Sequence, residues 1–172
     1  MKIPAHQTKI GAALNLKLAA ERLGAYLSEN HSKIVTAESC TGGWLGECIT
    51  EIAGSSAWFD RGFITYSNES KVDMLAVHSE TIKKYGAVSA EVARQMTQGA
   101  LQNSLADYAI AITGVAGPTG GSPEKPVGTV YIAWQKRTQP AQVTLENYSG
   151  NRQEIRRQAV YTALNLIPLP HK

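Results

Sequence analysis

A chain of 172 residues with a formal charge of +3 and two cysteines fits one domain with its own core, and Cys40 and Cys48 are too few for a disulfide scaffold. Hydrophobic residues at 43% and charged residues at 18% are ordinary for a globular protein, and no apolar run approaches the roughly 18 residues of a membrane span. The segment MKIPAHQTKIGAAL lacks the apolar core and cleavage site of a secretory leader, so cytoplasmic residence is expected, and the basic residues are dispersed rather than gathered for nucleic acid.

In chain order, a loose extension over residues 1–9 precedes an amphipathic helix over 10–29, on which Leu16, Ala20, Leu23 and Leu27 recur at helical spacing. KIVTAE reads as a short buried strand. Trp44, Leu45, Cys48, Ile49 and Ile52 mark one face of the next helix, which stops at AGSS with Gly54 as its C-terminal cap. RGFITYSN reads as a second strand, and Ser67 or Asn68 caps a short helix carrying Lys71 and Leu75; another short helix covers 79–85. Ser89 caps a helix with Val92, Met96 and Ala100 on one face. DYAIAITG is a strand buried on both faces that runs into GVAGPTGGSPEKPVG, the longest irregular segment. TVYIAWQ and QVTLENY flank KRTQPA as a hairpin, and NRQEIRRQAVYTALNLI forms a final helix ended by Pro168 and Pro170.

Strands interleaved with helices predict a single α/β layered domain over 1–172, with a sheet made mixed by the hairpin. Ligands of open α/β sheets bind beyond the carboxyl ends of the strands, where helix N-termini offer N–H groups to anions. Three polar or glycine-rich segments fall there: SCTGG, TYSNESK and TGVAGPTGGS.

The stretch AESCTGG places Ser39, Cys40 and Thr41 side by side at a strand-to-helix turn, the position of a nucleophile elbow, although G-x-S-x-G itself is absent. Ser39 is then either a nucleophile beside oxyanion-binding amides or, like Thr41, a helix cap. Cys40 as nucleophile needs a histidine to stabilise its thiolate. His6, His31, His78 and His171 all fall in or near termini or connections, which favours a packing role for Cys40. With histidine scarce, Lys71 is the next base for a hydroxyl; it is either desolvated and neutral or a solvated helical lysine. The five glycines of GVAGPTGGSPEKPVG suit an anion-binding concavity or a flexible loop, and match neither a P-loop nor a dinucleotide fingerprint. No Cys/His spacing suits a metal and no cofactor motif is present. Small α/β enzymes often associate symmetrically, so a homo-oligomer is compatible with the chain.

Five segments in order, TAESCTGG, AGSSAWFDRGFITYSNESK, YGAVSAEVARQM, ITGVAGPTGGSPEKPVGTVYIAW and GNRQEIRRQAV, resemble the C-terminal domain family of the competence- and damage-inducible protein CinA over residues 33–165. One departure is Ala76, where the family commonly has glycine. The resemblance implies a three-layer α/β/α sandwich with a mixed, mostly parallel sheet. It also implies deamidation of nicotinamide mononucleotide to nicotinate mononucleotide and ammonia, in pyridine nucleotide recycling, with Ser39 as nucleophile, Lys71 as base and Arg152 as a further functional residue. The expected partner is thus a small-molecule nucleotide. Around that centre Thr41, Gly42 and Gly43 are expected to offer amides, Thr113, Gly114, Gly117 and Arg152 to hold phosphate, and Tyr66 and Asn68 to line the ring pocket. The alternative is a catalytically inactive nucleotide-binding or interaction domain of the same family.

Overall fold

The computed structural model describes residues 14–168. In chain order they form α1 (Leu16–Glu29), β1 (Ile34–Glu38), α2 (Trp44–Thr50), a 3₁₀ turn (Ser55–Ala57), β2 (Phe59–Ile64), α3 (Asn68–Leu75), α4 (Ser79–Tyr85), α5 (Ala90–Gln102), β3 (Tyr108–Gly114), β4 (Thr129–Lys136), β5 (Gln142–Asn147) and α6 (Arg152–Leu164). The strands lie in the order β2-β1-β3-β4-β5. β1 pairs in parallel with β2 and β3, whereas β4 is antiparallel to both β3 and β5. Four of the five strands therefore point the same way, and the hairpin makes the sheet mixed.

The two faces of the sheet follow the period-2 alternation of its central strands. Ile34, Tyr108, Ile110 and Ile112 point into a core with Leu23 and Leu27 of α1, Leu45 and Ile49 of α2, and Ile155 and Val160 of α6. Val35, Ala37, Ala109 and Ala111 face Val92, Met96 and Ala100 of α5, with Leu75 of α3. Large aliphatic residues thus support three helices on one side, and an alanine-rich surface receives α5 on the other. Fully burying each of the larger side chains contributes about 1.5–3 kcal/mol. Gly99 marks where α5 meets the end of α3, since a Cβ there would lie 1.9 Å from the Leu75 carbonyl oxygen.

Several element ends shift from their expected places. Residues 1–13 lie outside the described residues, and α1 starts at Leu16 because the Asn15 side chain accepts the Leu18 N–H at 2.9 Å. α2 ends at Thr50, so Ile52 is off it, and Gly54, at φ 81°, starts the 3₁₀ turn instead of closing α2. β2 runs over Phe59–Ile64 and leaves the sheet before Tyr66. Ser67, not Asn68, caps α3, its Oγ accepting the Ser70 N–H at 3.0 Å. α6 stops at Leu164 with Asn165 as its cap, ahead of Pro168, and its start is closed by a capping box between Asn151 and Glu154.

Candidate active site

Parallel register brings the site together. Glu38, at the end of β1, is level with Ile64 of β2 and Ile112 of β3. The residues just past these ends, Ser39, Thr65–Ser67 and Thr113–Gly114, therefore share one edge of the sheet. Two further main-chain bonds extend the match: Ser39 N–H donates to the Ile112 carbonyl at 3.0 Å, and Thr65 N–H to the Glu38 carbonyl at 2.8 Å.

Ser39 meets Lys71 here. Lys71 Nζ donates to Ser39 Oγ at 3.1 Å and to the Thr65 carbonyl at 2.7 Å, with the carbonyls of Ser67 and Tyr66 at 3.4 and 3.5 Å. The lysine is 1% exposed, so it is not the solvated side chain that a short helix would ordinarily carry. Burial of the ammonium is the main influence on Lys71 and lowers its pKa; the Cys40 sulfur and the Glu69 carboxylate act the other way. The carbonyl cradle of residues 65–67 arises because β2 ends at Ile64 and the chain turns over the first turn of α3, so its own backbone curls around the side chain four to six residues on.

The turn after Ser39 is held by a residue that sequence patterning passed over. Glu38 is 1% exposed, and four donors converge on its carboxylate: Thr41 Oγ1 at 2.7 Å and the N–H groups of Gly43, Leu45 and Gly46 at 3.1, 3.1 and 2.9 Å. These satisfy the opening amides of α2, which has no side-chain N-cap of its own. Neither Ser39 nor Thr41 caps that helix. Gly42 and Gly43 adopt φ of 62° and 101°, the left-handed turn that lets the chain reverse between β1 and α2.

This wiring occupies two of the three turn amides expected at the substrate. Thr41 is fully buried with its hydroxyl spent on Glu38, Gly43 gives its N–H to the same carboxylate, and Gly42 gives its N–H to the Ser39 carbonyl at 3.0 Å. Gly42 and Gly43 line a neighbouring groove of about 830 Å³ with Trp44, Ile64, Arg152 and Arg156. Of the CTGG amides, those of Cys40 and Thr41 donate to no oxygen among the described residues. Cys40 itself is 6% exposed, and burial pushes its thiol up to about 11, which makes it a poor thiolate at neutral pH.

A cavity of about 290 Å³ opens over Ser39 and Lys71, and Tyr66, Asn68, Thr113, Gly114, Gly117 and Arg152 line it. Cys40, Ala87, Val88, Val115, Ala116, Thr119 and Gly120 complete the wall. The Thr113 hydroxyl donates to the Ala87 carbonyl at 2.8 Å, so its side chain braces the YGAV segment. Arg152 donates to the Gly117 carbonyl at 2.7 Å and to the Tyr66 hydroxyl at 3.0 Å; it bridges the glycine-rich loop and the segment after β2. Among the described residues no cluster of three His, Cys, Asp or Glu side chains could hold a metal, and no helix is long and apolar enough to cross a membrane.

A strand-end serine 3.1 Å from a buried lysine, under a glycine-rich loop, sits at the carboxyl edge of the sheet in an α/β fold. The sequence model of the CinA C-terminal domain matches residues 16–169, and the chain belongs to that family. It is 50% identical over 148 residues to the nicotinamide-nucleotide amidohydrolase PncC of Escherichia coli K12, covering 86% of this chain and 90% of that protein. The Pseudomonas putida protein of the same name is 47% identical over 146 residues, covering 85% and 91%. The crystal structure of the competence/damage inducible protein CihA from Agrobacterium tumefaciens superposes with a TM-score of 0.86 at 46% identity, covering 88% of this chain and 93% of that one.

Proposed function

We propose that this chain is an amidohydrolase that converts nicotinamide mononucleotide to nicotinate mononucleotide and ammonia, in the recycling of pyridine nucleotides, with Ser39 as nucleophile and Lys71 as base. The observation that carries the reading is the 3.1 Å contact between Ser39 Oγ and a lysine that is 1% exposed. The names of the relatives supply the substrate.

In its neutral form Lys71 keeps two N–H bonds to donate into the carbonyl cradle and directs its lone pair at the Ser39 hydroxyl. Ser39 Oγ attacks the carboxamide carbon as its proton passes to Lys71 Nζ. The carbonyl π pair moves onto oxygen, where backbone N–H groups beside Ser39 stabilise the oxyanion. The oxyanion collapses, the C–N bond breaks, and the leaving nitrogen takes the proton from Lys71 to depart as ammonia. Water then attacks the acyl-serine, giving a proton to Lys71; the Ser39 Oγ–carbon bond breaks, Ser39 recovers its proton, and nicotinate mononucleotide is released. Arg152 and the amides around Gly114 and Gly117 bind the phosphate end, and Tyr66 and Asn68 flank the ring.

The test is ammonia release from nicotinamide mononucleotide by chelator-treated protein, with a heat-killed control. Ammonia in stoichiometric balance with nicotinate mononucleotide supports the reading. Binding of the mononucleotide without ammonia would instead identify a non-catalytic nucleotide-binding domain.

A further inference from the structure

The hydrogen bonds around Ser39 form a chain with an arginine at one end. Arg156, half-buried on α6, donates Nε–H to the Cys40 carbonyl at 3.0 Å and a terminal N–H to the Thr41 carbonyl at 2.9 Å. Its guanidinium carbon stands 5.3 Å from the centre of the Trp44 ring, which holds the group in place from another side. The Thr41 carbonyl and the Gly42 N–H belong to one peptide plane, and that N–H donates to the Ser39 carbonyl at 3.0 Å. The Ser39 carbonyl and the Cys40 N–H belong to the next plane. Cys40 lines the cavity beside Ser39, and its N–H meets no oxygen among the described residues. The path therefore runs from guanidinium to Thr41–Gly42 peptide and on to the Ser39–Cys40 peptide, both of whose residues line the cavity.

Resting on the amidohydrolase reading above, we propose that Arg156 is a positioning residue for the oxyanion: relayed through these two peptides, it orients and strengthens the Cys40 N–H as donor to the tetrahedral intermediate. In a trans peptide the C=O and N–H point in opposite directions, so a donor that holds the oxygen fixes where the hydrogen aims. Bonds in such a chain polarise one another at low dielectric, and a charged donor at its head is stronger than a neutral one. The second contact, to the Cys40 carbonyl, stops the following peptide from rotating. A lysine carries a single ammonium in place of the planar fork that spans both carbonyls. An oxyanion exists only between substrate and acyl-enzyme, so the contribution belongs to kcat rather than to substrate binding.

The experiment compares the wild type with Arg156→Ala and Arg156→Lys in four measurements: kcat and KM for nicotinamide mononucleotide, affinity for nicotinate mononucleotide, inhibition by the analogue bearing an aldehyde in place of the carboxamide, and rescue by added guanidinium ion. The aldehyde adds Ser39 to give a tetrahedral hemiacetal whose oxygen sits where the oxyanion would. For Arg156→Ala, kcat is expected to fall roughly 10²-fold with KM held within about threefold. Aldehyde affinity should fall by a similar factor while product affinity holds. Guanidinium ion should restore part of the rate to Arg156→Ala and none to the wild type, and Arg156→Lys should fall between the two. An unchanged kcat, or aldehyde and product affinities falling together, would overturn the proposal. Should Arg156→Ala not fold, Arg156→Lys carries the same comparison of kcat with KM and of aldehyde with product. A wild type that releases no ammonia removes the amidohydrolase reading and this inference together, whereas an active wild type beside an equally active Arg156→Ala removes this inference alone.

Discussion

The two walls of the cavity over Ser39 are built differently. On the side proposed to react, Ser39 and Lys71, with Glu38 behind them, are 9%, 1% and 1% exposed, and their polar side-chain atoms are bonded to the protein. On the binding side Tyr66 is 61% exposed, and its hydroxyl joins the glycine-rich loop through a single side chain, Arg152. The reacting wall is set by strand ends and helix starts, so it stands in its working geometry before any substrate arrives. The binding wall consists of loop and side chain that can exchange protein partners for a ligand.

The largest expected effect falls on the reacting wall. Ser39→Ala should lower kcat for ammonia release by about 10³-fold or more with the fold intact, measured by steady-state assay beside circular dichroism; an unchanged rate would shift the nucleophile to Cys40 or Thr41.

Lys71→Met should cost kcat a comparable factor, again about 10³-fold, and should change how stability depends on pH. Burial holds the Lys71 pKa below its ordinary value. Between the lowered native pKa and the unfolded value of about 10.4, the unfolded chain keeps a proton that the native state has lost, so stability rises with pH across that window. The penalty is complete below the native pKa and gone above the unfolded one. Denaturant titrations at several pH values should show this slope in the wild type and its loss in Lys71→Met.

On the binding wall, Arg152→Ala should raise KM about tenfold or more while kcat changes little, the pattern of lost uniform binding; an equal fall in kcat would place Arg152 on the reacting side.

Two smaller substitutions sharpen the contrast. The Thr65 hydroxyl is buried with no partner among the described residues, while its carbonyl holds Lys71. Thr65→Val should leave kcat within about twofold and stability equal or slightly higher, since only an unpaired group is removed; a large loss of rate would show that the hydroxyl, and not the backbone cradle, matters. Away from both walls, Ala76 closes α3 at φ 52°, a left-handed conformation costly for a residue with a Cβ. Ala76→Gly should stabilise by about 0.5–1 kcal/mol in thermal melts without altering activity.

Much of this site was legible in the sequence. Ser39, Lys71 and Arg152 lie in segments that follow or start regular elements, and local chemistry with family resemblance brought them forward. What stayed hidden depends on how elements meet. Glu38 reads as the last residue of a strand, and its carboxylate becomes the anchor of α2 only once the chain reverses at Gly42 and Gly43. Arg156 stands four residues after Arg152, a spacing that places both on one face of α6, yet the carbonyls it grips are 115 and 116 residues away in the chain. Thr41, Gly42 and Gly43 read as amide donors by residue type, and the same reversal directs the N–H groups of Gly42 and Gly43 back into the protein.

The proposed mechanism requires Lys71 to serve Ser39 as a neutral, buried base. Its most direct test is a pH titration of the lysine side chains by NMR on protein labelled with ¹⁵N at lysine Nζ, with Lys71→Met identifying the resonance. One lysine should titrate well below the others and be absent from Lys71→Met, with the acid limb of kcat/KM following the same midpoint. A Lys71 that titrates with the surface lysines near the ordinary value of about 10.4, and so stays charged wherever the protein releases ammonia, would contradict it.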